Sequence, residues 1–251
     1  MRFNNLFIIL IALLFTFCES ESGDSSGIGQ GGSMTRFAIQ NNFLYIVDNH
    51  TIKVFDISEN NFVQLNEVTV GFGLETIFAR AEYLYLGAND AMYIYSLEDP
   101  ALPRFIFRYA HIVACDPVVV QGNRAYITLR SADDNSFCNR GINALEIIDI
   151  TDPNQPKLLA SYPMQSPHGL AVDGDYLFLC EGTGGLKFID ISNELDIKTL
   201  QHIEDIDAYD VIARNGLLIL TGEDGIFQFS YSEDAEELQL ISKLPVSREV
   251  L

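Results

Sequence analysis

One seven-residue phrase recurs in this chain: "IKVFDIS" at 52–58, "LEIIDIT" at 145–151 and "LKFIDIS" at 186–192. A short unit that returns cannot bury both of its faces alone, so it must stack on copies of itself. Sliding the chain against itself extends the register. The segments "FLYIVD" at 43, "YLYLGA" at 83, "RAYITL" at 124, "YLFLCE" at 176 and "LLILTG" at 217 fall in one column. Their third residues, Tyr45, Tyr85, Tyr126, Phe178 and Ile219, lie 40, 41, 52 and 41 positions apart. The phrase obeys the same register, with Asp56, Ser96, Asp149, Asp190 and Ser230 at intervals of 40, 53, 41 and 40. Both series have one long interval, which places an insertion between Thr128 and Leu145 in the third unit.

Each unit alternates apolar and polar residues over short runs broken by Gly, Asn and Asp, which is strand periodicity. No stretch offers an amphipathic helix. A unit holds a short first strand ("FAIQ", "IFAR", "VVVQ", "LAVD", "VIAR"), a second, the phrase itself, and a fourth such as "PKLLASYP". Four strands in about 40 residues, repeated, is the pattern of propeller blades. The expected fold is all-β, a five-bladed β-propeller of four-stranded antiparallel blades over residues 34–251. Closure is expected from the first blade packing on the fifth, with a strand around Met34.

The stretch before residue 34 reads differently. Leu6–Phe17 is an apolar run behind a lone Arg2, too short to cross a bilayer comfortably and shaped like a secretory signal. Cys18 follows, then "ESESGDSSGIGQGGS", with too few apolar side chains to pack. A signal over 1–17, a cysteine and a tether over 18–33 resemble a bacterial lipoprotein, in which Cys18 carries the lipid. A plain secretory signal is the alternative, and both readings export the protein. The lipoprotein reading puts it on the outer membrane or cell surface, with no membrane contact beyond the lipid anchor.

Thirty-five acidic residues against 15 basic give a net charge of −20, which repels nucleic-acid phosphates. Nucleic acid is excluded as a partner, and a monomer is expected.

The segments "IIDITDPNQPKLLASYP" and "GLKFIDIS" resemble the LVIVD-repeat proteins, exported β-propellers of bacteria and archaea, and are most similar to a lipoprotein branch of that family. The resemblance covers essentially all of the chain beyond the tether. It implies a cell-surface protein with no established catalytic activity.

Asp56, Asp149 and Asp190 could be acid or base equipment. Yet the same column carries Ser96 and Ser230, and short oxygen-bearing side chains entering a turn bond nearby backbone N–H groups. "EGTGG" at 181–185 has no helix behind it to complete a phosphate site and reads as a hairpin turn.

Candidate site residues come from the loops that share one end of the propeller, its mouth. Two residues before each first strand stand Thr35, Glu75, Asp116, His168 and Tyr209, followed by Arg36, Thr76, Pro117, Gly169 and Asp210. These positions vary and are mostly polar, while the neighbouring strand positions are uniformly apolar. Arg36, Glu75, Asp116, His168, Tyr209 and Asp210 are therefore the ligand-binding candidates. The loops between second and third strands add Asp48, Asn49, His50, Asn89, Asp90, Glu181, Glu223 and Asp224 to the same end. Carboxylates beside imidazole permit a divalent cation at Glu75, Asp116 and His168. Solvated turn residues, and for His168 a bond to a loop carbonyl, are the structural alternatives.

Two functions follow. One is a non-enzymatic module binding a protein or glycan at the mouth. The other is an exported metal-dependent hydrolase or lyase with its site there. No catalytic residue is assigned, since no Ser stands in a G-x-S-x-G elbow and no Ser or Cys pairs with a His by spacing. Cys115 and Cys138 both fall in mouth loops of the third blade and are expected to form a disulfide. Cys180 ends a second strand and is expected to be a buried thiol.

Overall fold

The computed structural model describes residues 31–59, 62–111, 117–131, 142–232, 234 and 236–246. Cys18, Cys115, Asp116 and Cys138 lie outside these, as do the apolar run and most of the insertion.

The described residues form five four-stranded antiparallel sheets and no helix. The first blade is β1 (Phe37–Gln40), β2 (Phe43–Val47), β3 (Thr51–Asp56) and β4 (Val63–Thr69). The second is β5 (Leu74–Arg80), β6 (Tyr83–Ala88), β7 (Ala91–Ser96) and β8 (Arg104–Ala110). The third is β9 (Val118–Gln121), β10 (Arg124–Leu129), β11 (Ala144–Asp149) and β12 (Lys157–Pro163). The fourth is β13 (Leu170–Asp173), β14 (Tyr176–Cys180), β15 (Leu186–Asp190) and β16 (Lys198–Ile203). The fifth is β17 (Asp210–Arg214), β18 (Leu217–Gly222), β19 (Gly225–Ser230) and β20 (Gln239–Pro245).

The register of the sequence is the register of the blades. Every third strand carries a bulge against its fourth at the same place, at Val54/Phe55, Ile94/Tyr95, Ile147/Ile148, Phe188/Ile189 and Gln228/Phe229. A bulge increases local twist, and five equivalent bulges give five equivalently twisted blades. The phrase's aspartates are structural. Asp56, Asp149 and Asp190 accept the N–H of Ser58, Thr151 and Ser192 at 2.7, 2.9 and 2.8 Å, and Ser96 accepts that of Glu98 at 3.1 Å. Bonds from the hydroxyls of Ser58, Thr151 and Ser192, together with these backbone bonds, hold the three carboxyls below the usual carboxylate range.

The inner strands surround a central channel of about 260 Å³ lined from all five blades. Four apolar clusters fill the seams between successive blades: Tyr45 and Leu84 in the first, Ile94 and Ile127 in the second, Ile147 and Leu177 in the third, and Phe178 and Leu220 in the fourth. Strand alternation puts the complementary face of blade 1 (Phe37, Ile39, Ile46) and of blade 5 (Ile212, Leu217, Ile226) toward the remaining junction. Phe37 is 51% exposed, Leu217 40% and Ile226 36%. The expected apolar closure of the first blade on the fifth is therefore corrected. No apolar cluster joins those blades among the described residues. Residues 33–34 form a turn, not a strand, and Thr35 N–H donates to the Gly32 carbonyl at 3.2 Å. Polar bonds made by the segment before β1 tie this end of the ring instead.

Candidate functional site

Residues 31–36 run across the mouth. Ser33 is buried; its hydroxyl donates to Asp210 Oδ1 at 3.1 Å and accepts the Leu170 N–H at 2.8 Å, which joins the segment to blades 4 and 5. The Thr35 carbonyl accepts the Ile77 N–H at 3.0 Å, and that of Arg36 accepts the Val47 N–H at 2.8 Å, which joins it to blades 2 and 1. Asp210 packs against Gly32 and Gly169, and a Cβ on either glycine would collide with its carboxylate. Burial pushes the Asp210 carboxyl up, opposed by bonds from Val211 and from Ser33 and Met34. Asp210 is thus the post to which the crossing segment is fastened.

Beside this crossing lies a cavity of about 130 Å³ lined by Met34, Arg36, Glu75, Thr76, Pro117, Arg130 and His168. Three of the residues expected from the sequence, Arg36, Glu75 and His168, meet here. Glu75 reaches it because β5 is bulged: Leu74 pairs with Ala88 and Thr76 with Gly87, leaving Glu75 as the extra residue. Bulges re-aim side chains in this way. With the Asn89 amide oriented to satisfy its neighbours, its nitrogen donates to Glu75 Oε1 at 2.8 Å and to the Gly73 carbonyl at 3.1 Å. Burial raises the Glu75 carboxyl pKa, while Arg36 and Arg130 pull it down.

His168 is held from several sides. Its N–H donates to the Cys180 carbonyl at 2.7 Å, its carbonyl accepts the Thr128 hydroxyl at 2.7 Å, and its Nδ1 meets the Ser166 carbonyl at 2.7 Å. The bond to a loop carbonyl is thus present. It fixes the proton on Nδ1 and leaves Nε2 as an acceptor. Burial is the main cause that lowers the His168 pKa, and Arg130 lowers it further. The loop carrying His168 is clamped by Glu181, whose buried carboxylate pairs with Lys187 at 2.5 Å and accepts the N–H groups of Gln165 and Ser166 at 3.0 and 2.6 Å. "EGTGG" is the β14–β15 hairpin turn, and Gly182, with φ +59°, packs where a Cβ would strike the His168 ring. Cys180 beneath it is a free, buried thiol, as expected.

The other mouth residues stand apart. Tyr209 sets its ring edge-on to His168 at 5.7 Å, and its hydroxyl donates to Glu223 at 3.3 Å. His50 packs edge-on against Phe72, and Asp48 caps its own turn through the N–H groups of His50 and Thr51. Arg130, just past β10, was not among the expected residues. It occupies the same column as Asn49, Asn89 and Glu223, but the insertion that begins there obscured it.

The cavity's chemistry disfavours a cation. Glu75 and His168 do share it, but two guanidinium groups stand beside them, and neither has a hydrogen-bond or ion-pair partner among the described residues. Positive charge in excess of the single Glu75 carboxylate repels a metal ion and attracts an anion. Among the described residues no three His, Cys, Asp or Glu converge.

The LVIVD repeat model matches residues 31–66, 139–163 and 167–194. No curated protein sequence matches the chain significantly. Similar solved structures include a functionally unknown protein from Desulfotomaculum acetoxidans DSM 771, at 10% identity and TM-score 0.70, covering 87% of this chain and 72% of that one. The periplasmic gluconolactonase PpgL of Pseudomonas aeruginosa is similar at 10% identity and TM-score 0.63, covering 82% and 68%. Apo AztD from Citrobacter koseri is similar at 16% identity and TM-score 0.60, and this chain spans 61% of its length. Likeness at these identities extends to the fold alone.

Proposed function

We propose that this chain, which carries LVIVD repeats on a five-bladed β-propeller, is an exported binding module that engages a protein or glycan through its mouth and performs no catalysis. The observation that carries this reading is the mouth cavity. Strand residues serve the inter-blade clusters, whereas Arg36 and Arg130 are two charged groups set beside one carboxylate, Glu75, which leaves positive charge in excess. Excess positive charge at a concave surface suits a ligand that pairs it. The proposal includes a lipid on Cys18 as the anchor, with the tether holding the mouth clear of the surface.

Glu75 and His168 in one cavity are what favours the alternative, a metal-dependent hydrolase or lyase that also uses Asp116. The two arginines beside them argue against it. Metal analysis of the purified protein, with melts in the presence and absence of chelator, separates the two. A bound ion that raises the melting temperature supports the enzyme. A metal-free protein whose melt ignores chelator, and which binds components of a glycan or surface-protein array, supports the module. For the anchor, Cys18→Ser should move the protein from the membrane to the soluble fraction; retention of the variant in membranes contradicts lipidation.

A further inference from the structure

We infer that the mouth cavity is a subsite for a hydroxycarboxylate, the carboxylate paired by Arg36 and Arg130 and a nearby hydroxyl donating to His168 Nε2. This rests on the mouth being the binding face and adds the chemical class that it selects.

Charge comes first. The chain carries −20 overall, yet this cavity sets two of its 15 basic residues beside a single carboxylate, Glu75, and neither side chain makes a hydrogen bond or ion pair among the described residues. Guanidinium groups present planar paired donors that match a carboxylate's two oxygens. The Glu75 carboxylate is already engaged by Asn89, so it leaves the arginines' donor capacity largely unspent.

Polarity comes second. With Nδ1 bound to the Ser166 carbonyl, the other ring nitrogen of neutral His168 is an acceptor, and burial favours that neutral form. An acceptor beside two donors fits a molecule with a hydroxyl near its acid group and leaves a simple carboxylate incompletely matched. Size comes third. A cavity of about 130 Å³ fits a head group and not a whole sugar chain. The ligand is therefore either a small free acid or the acidic end of something larger lying on the mouth.

The test titrates the full exported chain with D-glucuronate, D-glucose, acetate and inorganic phosphate at constant ionic strength, by calorimetry. Glucuronate should bind one to one and more tightly than acetate, and glucose should not bind; phosphate that binds more tightly than glucuronate overturns the carboxylate assignment. Arg36→Gln with Arg130→Gln should weaken glucuronate at least tenfold without lowering the melting temperature. His168→Gln should narrow the preference for glucuronate over acetate. A uronate oligomer that binds more tightly than the monomer identifies the end of a larger molecule as the source; equal affinity identifies the free acid. No saturable glucuronate binding, or binding unchanged in the double arginine variant, overturns the inference. If the double variant loses an array partner that glucuronate does not displace, the carboxylate assignment fails and the mouth reading stands. If the variant keeps the partner, the mouth reading itself fails.

Discussion

Ser33 and Asp210 are 177 residues apart and share a hydrogen bond of 3.1 Å, at the one junction of the ring where no apolar cluster lies among the described residues. The same Ser33 oxygen is the acceptor for the buried Leu170 N–H. Ser33→Ala removes both bonds and strands a buried donor, a loss of about 1–3 kcal/mol. Chemical denaturation should show that fall. Retention of wild-type stability would mean that the crossing segment does not hold the ring.

Ala81 is the weak turn of the five. Each turn from first to second strand begins in the left-handed region, at Asn41, Ala81, Gly122, Gly174 and Asn215, and only Ala81 has neither a glycine's freedom nor a side chain suited to that conformation. Ala81→Gly should raise unfolding stability by about 1 kcal/mol, less what glycine's unfolded-state entropy takes back. A destabilised variant would contradict this reading of the turn.

Stability should respond to pH through His168 and Glu75 with opposite signs. Burial lowers the His168 pKa below its ordinary 6.5, helped by Arg130 and opposed by the Ser166 carbonyl and Glu181. Between the folded and unfolded values the unfolded chain binds more protons, so this contribution is lost as pH falls below about 6.5. Burial raises the Glu75 pKa above its ordinary 4.5, against the pull of Arg36 and Arg130. There the folded state binds more protons, so stability from this group grows as pH falls toward the unfolded value. Relative to wild type, His168→Gln should lose less stability on acidification from pH 7 and Glu75→Gln should lose more. Parallel curves for all three proteins would contradict both assignments.

Much of this was legible in the chain. The 40-residue register located all five blades, because every blade must present the same strand pattern to its neighbours, and it identified the phrase's aspartates as turn formers before Asp56, Asp149 and Asp190 were seen bonding two residues ahead. Arg36, Glu75 and His168 were found because they sit where the repeat must keep its backbone but not its side chains. Arg130 was not, since the insertion after β10 breaks the alignment where the column would have exposed it. The closure was misjudged for a different reason. Apolar residues such as Phe37 and Ile226 alternate as core residues do, and periodicity cannot say whether a facing sheet arrives close enough to cover them. The expected disulfide, Cys115 to Cys138, lies outside the described residues, and non-reducing peptide mapping should find that cross-link with Cys180 reactive only after unfolding.

The most direct measurement compares the two ends of the propeller. Wild type, the mouth variant Arg36→Gln/Arg130→Gln, and Asp99→Asn are labelled and applied to the same glycan and surface-protein array; Asp99 lies in the β7–β8 turn, at the end away from the β6–β7 mouth loop, where it accepts the Ala101 N–H at 3.0 Å. The mouth variant should lose the wild-type signal at least tenfold, while Asp99→Asn keeps it. Binding that survives at the mouth variant and disappears with Asp99→Asn would place the working surface at the other end and contradict the function proposed here.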